Sequence, residues 1–186
     1  GATHLISYNL ETDEGMSLDL DSPDGGKAGA VARMVRDMLA AGDPIDGVAI
    51  QGHIRWDITS IAGEGEGYYS PEALRRNMQR FASLGIDVNL SEFDLRIQQG
   101  TLDAAPGGSP TSYYDADREY QIYYDFVSVC VEEPNCDAIT FWGISDANSW
   151  IPGAFADELP ISLYDENFEE RPAYAGAMQA LLDGRP

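Results

Sequence analysis

Val88-Asn89-Leu90-Ser91-Glu92-Phe93-Asp94-Leu95-Arg96 is an apolar strand pattern that runs straight into two carboxylates two residues apart. Side chains at i and i+2 of a strand share a face, so Glu92 and Asp94 are expected to project together from the strand's end. Carboxylates gathered at a strand terminus, where a barrel or open sheet carries its functional loops, suit sugar cleavage or metal binding.

The same organisation recurs along the chain. Short apolar strand candidates fall at His4–Asn9, Gly47–Gln51, Asp87–Ser91 and Asp137–Trp142, with starts about 40–50 residues apart. That spacing predicts βα units in a parallel arrangement. Lys27–Ala41 carries Val31, Met34, Val35, Met38 and Leu39 at helical spacing and stops at Gly42. Ser70-Pro71-Glu72 is an N-cap followed by proline at the first helical position, and its helix ends at Gly85. A third helix is predicted over Asp115–Val131, where Tyr120, Tyr123, Tyr124 and Val127 form an aromatic stripe expected in the core. Arg171-Pro172 opens a last helix running through Leu182. The stretches 54–69 and 97–114 are expected to be long loops rich in Gly, Pro and Ser, of the kind that carries binding groups.

Four βα units make half of a (β/α)₈ barrel, a fold that usually takes about 250 residues. The predicted fold is therefore α/β, a single half-barrel domain over residues 1–186. Two unpaired sheet edges and an open core are unstable alone, so the chain is expected to pair with something.

Composition bounds the partners. The 32 Asp and Glu against 11 Lys and Arg give a net charge of −21, with Lys27 the one lysine. Such a surface repels nucleic acid and anionic membranes, so neither is expected as a partner. It suits solubility, or a high-salt environment in which screening makes self-repulsion tolerable. No apolar run is long enough to cross a bilayer as a helix. The chain opens Gly1-Ala2-Thr3 without Met, which reads as a processed end or a fragment boundary, and no signal peptide is visible. Cys130 and Cys136 enclose a short polar stretch containing Pro134. A disulfide between them implies an oxidising compartment; the alternative is two ordinary thiols, one on an apolar helix face.

All four strand ends run into polar or aromatic residues. The first gives Tyr8-Asn9-Leu10-Glu11 and the second Gln51-Gly52-His53. Gln51 and His53 are again i and i+2, with Gly52 permitting close backbone approach. The third end gives Glu92 and Asp94, and the fourth gives Trp142-Gly143-Ile144-Ser145-Asp146, then Ser149-Trp150. Each has a structural alternative. A single histidine near a strand end is more often a hydrogen-bonded structural residue, Trp142 could be plain core, and Glu11 or Asp146 a solvated loop charge. Their joint placement at successive strand ends, which meet at one mouth in a barrel, favours function.

Pro44–His53, Ser91–Arg96 and Trp142–Trp150 resemble the last three strands of family-10 glycoside hydrolases, the endo-1,4-β-xylanases. Leu163-Tyr164-Asp165-Glu166-Asn167 and Arg171-Pro172-Ala173-Tyr174 look like that family's closing pattern, and Tyr8–Glu11 like the end of its fifth strand. The resemblance implies strands five to eight of a TIM barrel and retaining hydrolysis of β-1,4-xylan. Glu92 then matches the nucleophile, and His53 and Asp94 the pair that orients it. Asn9, Gln51, Trp142 and Trp150 match residues contacting xylose units, aromatic faces suiting apolar sugar faces. The Cys130/Cys136 pair matches one found before the eighth strand in many members. Neither a metal nor an organic cofactor is implied.

The departures from the family are specific. Ile6-Ser7-Tyr8-Asn9 stands where members usually read Asn-Asp-Tyr-Asn, Phe93 replaces an aliphatic residue, and no Arg follows Trp150. More important, the acid/base glutamate of the fourth strand sits in an Asn-Glu motif, and this chain contains no Asn-Glu dipeptide. Trp56-Asp57-Ile58 is in the wrong place to supply it. Without that acid, leaving-group protonation worth about 10²–10⁴-fold is lost, so the isolated chain is expected to be weakly active or inactive. An N-terminal half-barrel, as a separate chain or as upstream sequence, is the expected completion, and secretion the expected location. The alternative is a non-catalytic half-barrel that self-associates with a second copy and has a structural or carbohydrate-binding role. Self-association would set two copies of Glu92 four strands apart, farther than the 5–5.5 Å or so that retention needs.

Overall fold

The computed structural model describes residues 5–9, 26–64 and 69–184. In chain order they form β1 (Leu5–Asn9), α1 (Gly26–Ala41), β2 (Gly47–Gln51), β3 (His53–Arg55), α2 (Pro71–Ala82), β4 (Asp87–Gln98), α3 (Gln99–Leu102), α4 (Ala116–Glu132), β5 (Cys136–Phe141), α5 (Ile151–Ala154), β6 (Glu158–Ile161) and α6 (Pro172–Asp183). Glu11 and His4, read above as a loop charge and a strand start, lie outside the described residues.

The four expected parallel strands are present as β1, β2, β4 and β5, hydrogen-bonded in that order. Residues Ser7, Ala49, Asn89 and Ala138 form one register row across them. Ser7 and Ala138 at its ends are exposed, as is Thr140. This row lines the face that an eight-stranded barrel turns inward. The opposite face carries Val48, Ile50, Val88 and Leu90, all buried against Ala28, Ala32 and Val35 of α1 and Leu74, Met78 and Phe81 of α2.

Three expectations change in detail. The strand predicted over Asp87–Ser91 continues to Gln98, because β3 pairs with its second half in parallel while β6 pairs with it antiparallel. The supposed loops at 54–69 and 97–114 therefore contain β3, a 3-10 turn at Trp56–Ile58, and α3. The helical stripe of α1 is also shifted: Met34 is 44% exposed, and the small residues Ala28 and Ala32 supply the buried face. A hydrophobic period marks a helix face but does not say which of its residues the neighbouring elements cover.

Helix starts follow their caps. Ser70 Oγ accepts from the Ala73 N–H at 3.1 Å ahead of Pro71, and Asp115 accepts from the Arg118 N–H at 3.0 Å. Tyr123 and Val127 of the aromatic stripe are fully buried, whereas Tyr120 and Tyr124 lie half-buried. Helix α6 presses on α4 at Gly176, where an added Cβ would come within 2.2 Å of the Tyr120 carbonyl oxygen. Cys130 and Cys136 are joined as a disulfide, tying the end of α4 to the start of β5.

Candidate active site

Strand β4 positions the two carboxylates. The register between β4 and β5 shifts between Leu90 and Phe93, where three residues of β4 stand beside two of β5. A bulge of this kind re-aims the side chains beyond it. Phe93, Leu95 and Ile97 turn into the core, and Glu92, Asp94 and Arg96 share the other face. The same-face reading of Glu92 and Asp94 therefore holds.

The second strand is broken rather than continuous. Gln51 ends β2 and reaches sideways, its Nε2 donating to Ser7 Oγ at 3.3 Å. After Gly52, His53 opens β3 opposite Asp94. A Cβ on Gly52 would stand 2.9 Å from Leu90 Cδ1 and 3.1 Å from Phe93 Cδ2, so any side chain there would displace one or both of them. Gln51 and His53 thus point to separate partners.

His53 bridges the carboxylates. Its Nδ1 lies 2.9 Å from Asp94 Oδ1 and its Nε2 lies 3.2 Å from Glu92 Oε2. Two ionised carboxylates offer only acceptors, so both ring nitrogens donate when the imidazole is protonated. Burial opposes that charge, but the hydrogen bonds and charges of Asp94, and then of Glu92, outweigh it and raise the His53 pKa above 6.5. Asp94 also accepts the Trp150 indole N–H at 2.7 Å. Trp150 stands edge-on to His53, with ring centroids 5.1 Å apart. Glu92 keeps about a quarter of its side chain open, at 23%, while Asp94 is 8% exposed. The geometry leaves one carboxylate accessible and encloses the other.

Trp142 lies one residue beyond β5 and is 45% exposed; Trp150 is 38% exposed. Asn9 ends β1 beside Gln51 in register. Asp146 is not a free loop charge. It accepts from Ser162 N–H at 2.8 Å and from Arg171 at 2.9 Å, and Arg171 also holds the fully buried Glu119. Burial raises the Asp146 pKa against these bonds. Among the described residues, no cluster of three or more His, Cys, Asp or Glu could hold a metal ion.

Arg96, Phe155 and Glu158 also adjoin this cluster, and no motif gives them a role there. The period-2 alternation through 92, 94 and 96 was the available signal for Arg96. Phe155 and Glu158 carried none, because tertiary pairing of β6 with β4 brings them here.

A parallel half-barrel with a carboxylate–imidazole–carboxylate cluster at its strand ends defines the class: a portion of a (β/α)₈ glycoside hydrolase. The chain belongs to glycosyl hydrolase family 10, whose family model matches residues 19–180. It is 30% identical over 148 residues to endo-1,4-beta-xylanase B of Thermotoga neapolitana, covering 80% of this chain and 37% of that protein. It is 31% identical over 161 residues to endo-1,4-beta-xylanase 2 of Aureobasidium pullulans, covering 86% and 41%. Among solved structures, xylanase 10B from Thermotoga petrophila in complex with xylobiose superposes with a TM-score of 0.69 at 27% identity, over 95% of this chain and 46% of that one. The chain thus spans less than half the length of these relatives.

Proposed function

We propose that residues 1–186 form the C-terminal half-barrel of a retaining endo-1,4-β-xylanase and carry the nucleophile half of its site. The observation that carries this reading is His53 held between Glu92 and Asp94, with Glu92 alone accessible. In this mechanism a Glu92 carboxylate oxygen attacks the anomeric carbon as the glycosidic C–O bond breaks. The leaving oxygen takes a proton from a glutamate supplied by the N-terminal half-barrel, and water then releases the covalent glycosyl ester. His53 and Asp94 position Glu92. Asn9, Gln51, Trp142 and Trp150 contact xylose units, with the exposed Trp142 ring as a stacking face. The exposed ends of that row, Ser7 and Ala138, support a missing half-barrel as the partner. The Cys130–Cys136 disulfide supports an extracellular location.

The test is to combine the chain with strands one to four of a family-10 xylanase and follow reducing-sugar release from xylan. Activity is expected only in the mixture, with the β-anomer as first product, and is lost in Glu92→Gln. Activity unchanged by Glu92→Gln overturns the nucleophile assignment. A compact, stable monomer that does not bind the other half would exclude the half-barrel completion.

A further inference from the structure

We propose that Phe155, Arg96 and Glu158 are positioning residues that buttress the Trp150 indole, so that Trp150 stays clamped on Asp94 and presents its ring beside Glu92. The sugar-facing part of this inference rests on the xylanase reading; the clamp itself does not.

The contacts run without a gap. Arg96 follows Asp94 by two residues on the same face of β4 and is 5% exposed. Its guanidinium carbon lies 4.4 Å over the centre of the Phe155 ring. Phe155 meets Trp150 edge-on, at 5.6 Å between centroids and 66° between planes. Trp150 in turn contacts His53 and donates to Asp94. On the other side, Arg96 Nε is paired with Glu158 Oε2 at 2.6 Å, and Glu158 lies 3.9 Å from Arg55 Nε.

The alternative role for Arg96 and Glu158 is a buried ion pair that only ties β4 to β6. A buried pair gains little net stability once its desolvation is counted, so it weakly explains itself. The surrounding loop favours positioning. Around α5, Ala147, Asn148, Pro152, Gly153, Ala156 and Asp157 are exposed, and Ile151, which opens α5, is the segment's fully buried apolar anchor. Trp150 is itself more than a third open. The Phe155 ring adds a third support to the contacts that Trp150 makes with His53 and Asp94.

The readout is solvent exchange of the Trp150 indole proton in the full 186-residue chain. Its nuclear magnetic resonance signal is assigned among the three tryptophans by Trp150→Phe. Phe155→Ala and Glu158→Gln are each expected to speed that exchange by about tenfold, leaving the Trp56 indole and the β4 amides unchanged. Phe155→Tyr, which keeps the ring, is expected to restore the wild-type rate. An exchange rate within about twofold of wild type in Phe155→Ala overturns the proposal. If Phe155→Ala does not fold, Phe155→Leu is compared with Phe155→Tyr, and equal exchange in those two overturns it. Xylobiose titration separates the readings. Weakened binding in Phe155→Ala supports the whole inference, whereas the expected exchange pattern with no xylobiose binding even in the wild-type chain keeps the clamp and removes its sugar-facing part.

Discussion

The Trp150 indole N–H meets the Asp94 carboxylate at 2.7 Å across 56 residues of sequence, on the oxygen that His53 does not use. Asp94 is therefore held from two sides, and its remaining freedom to rotate is small. Among the described residues, Glu92 is held by the Nε2 side of the same imidazole. Fixing Asp94 fixes His53, and His53 fixes Glu92.

That linkage has a titration signature. The His53 imidazole is expected to titrate above its ordinary 6.5, and Asp94→Asn to lower it more than Glu92→Gln does, because Asp94 is the stronger of the two partners. Since the folded imidazole holds its proton more tightly than the unfolded one, its stabilising contribution is complete below 6.5. The contribution is lost as pH rises through the folded-state value. Ring-proton chemical shifts against pH check the first point and urea midpoints against pH the second. A His53 that titrates below 6.5 contradicts both.

Gly176→Ala is expected to destabilise the fold by about 1–3 kcal/mol, because the new methyl meets backbone and α6 must back away from α4. Gly153→Ala, where a Cβ meets nothing within 4 Å, is the control. Equal urea midpoints for the two variants would show that the helices have room to part.

Replacing both Cys130 and Cys136 by serine is expected to cost about 2 kcal/mol, the loop-closure entropy of so short a loop. Because the bridge sits at the start of β5, hydrogen exchange should rise first in that strand. Faster exchange spread evenly over the sheet would place the effect elsewhere.

Phe168 holds φ at +63° and is 59% exposed. Phe168→Gly removes left-handed strain and is expected to stabilise the chain by about 1 kcal/mol, read as a higher melting temperature. A lower one would mean that the ring makes a contact worth more than its strain.

With a net charge of −21, the folded chain repels itself. Raising salt from about 0.1 M to about 1 M shortens the screening length from about 10 Å to about 3 Å. The melting temperature is expected to rise over that range. A fall would show that attractive pairs such as Arg171–Glu119 and Arg118–Glu64 dominate instead.

Local rules carried the sequence a long way. The i, i+2 spacing of Glu92 and Asp94, the Ser70-Pro71 cap and the repeated strand spacing were each written in neighbouring residues, and they determined a parallel α/β half-barrel with Glu92 and Asp94 on one face. The match of ordered motifs did the same for the family. Tertiary structure decided what depends on chains meeting at long range. It broke the second strand at Gly52, where Leu90 and Phe93 crowd the place a side chain would take. It extended β4 to Gln98 by giving it partners from residues 53–55 and 158–161. It turned Asp146 from a loop charge into an ion-pair anchor, and it gave Trp150 a hydrogen bond to Asp94 that no spacing along the sequence encodes. Local spacing says which side chains share a face; which face that is, past the bulge between Leu90 and Phe93, and which neighbour each finds there are set by packing between segments 40 to 60 residues or so apart.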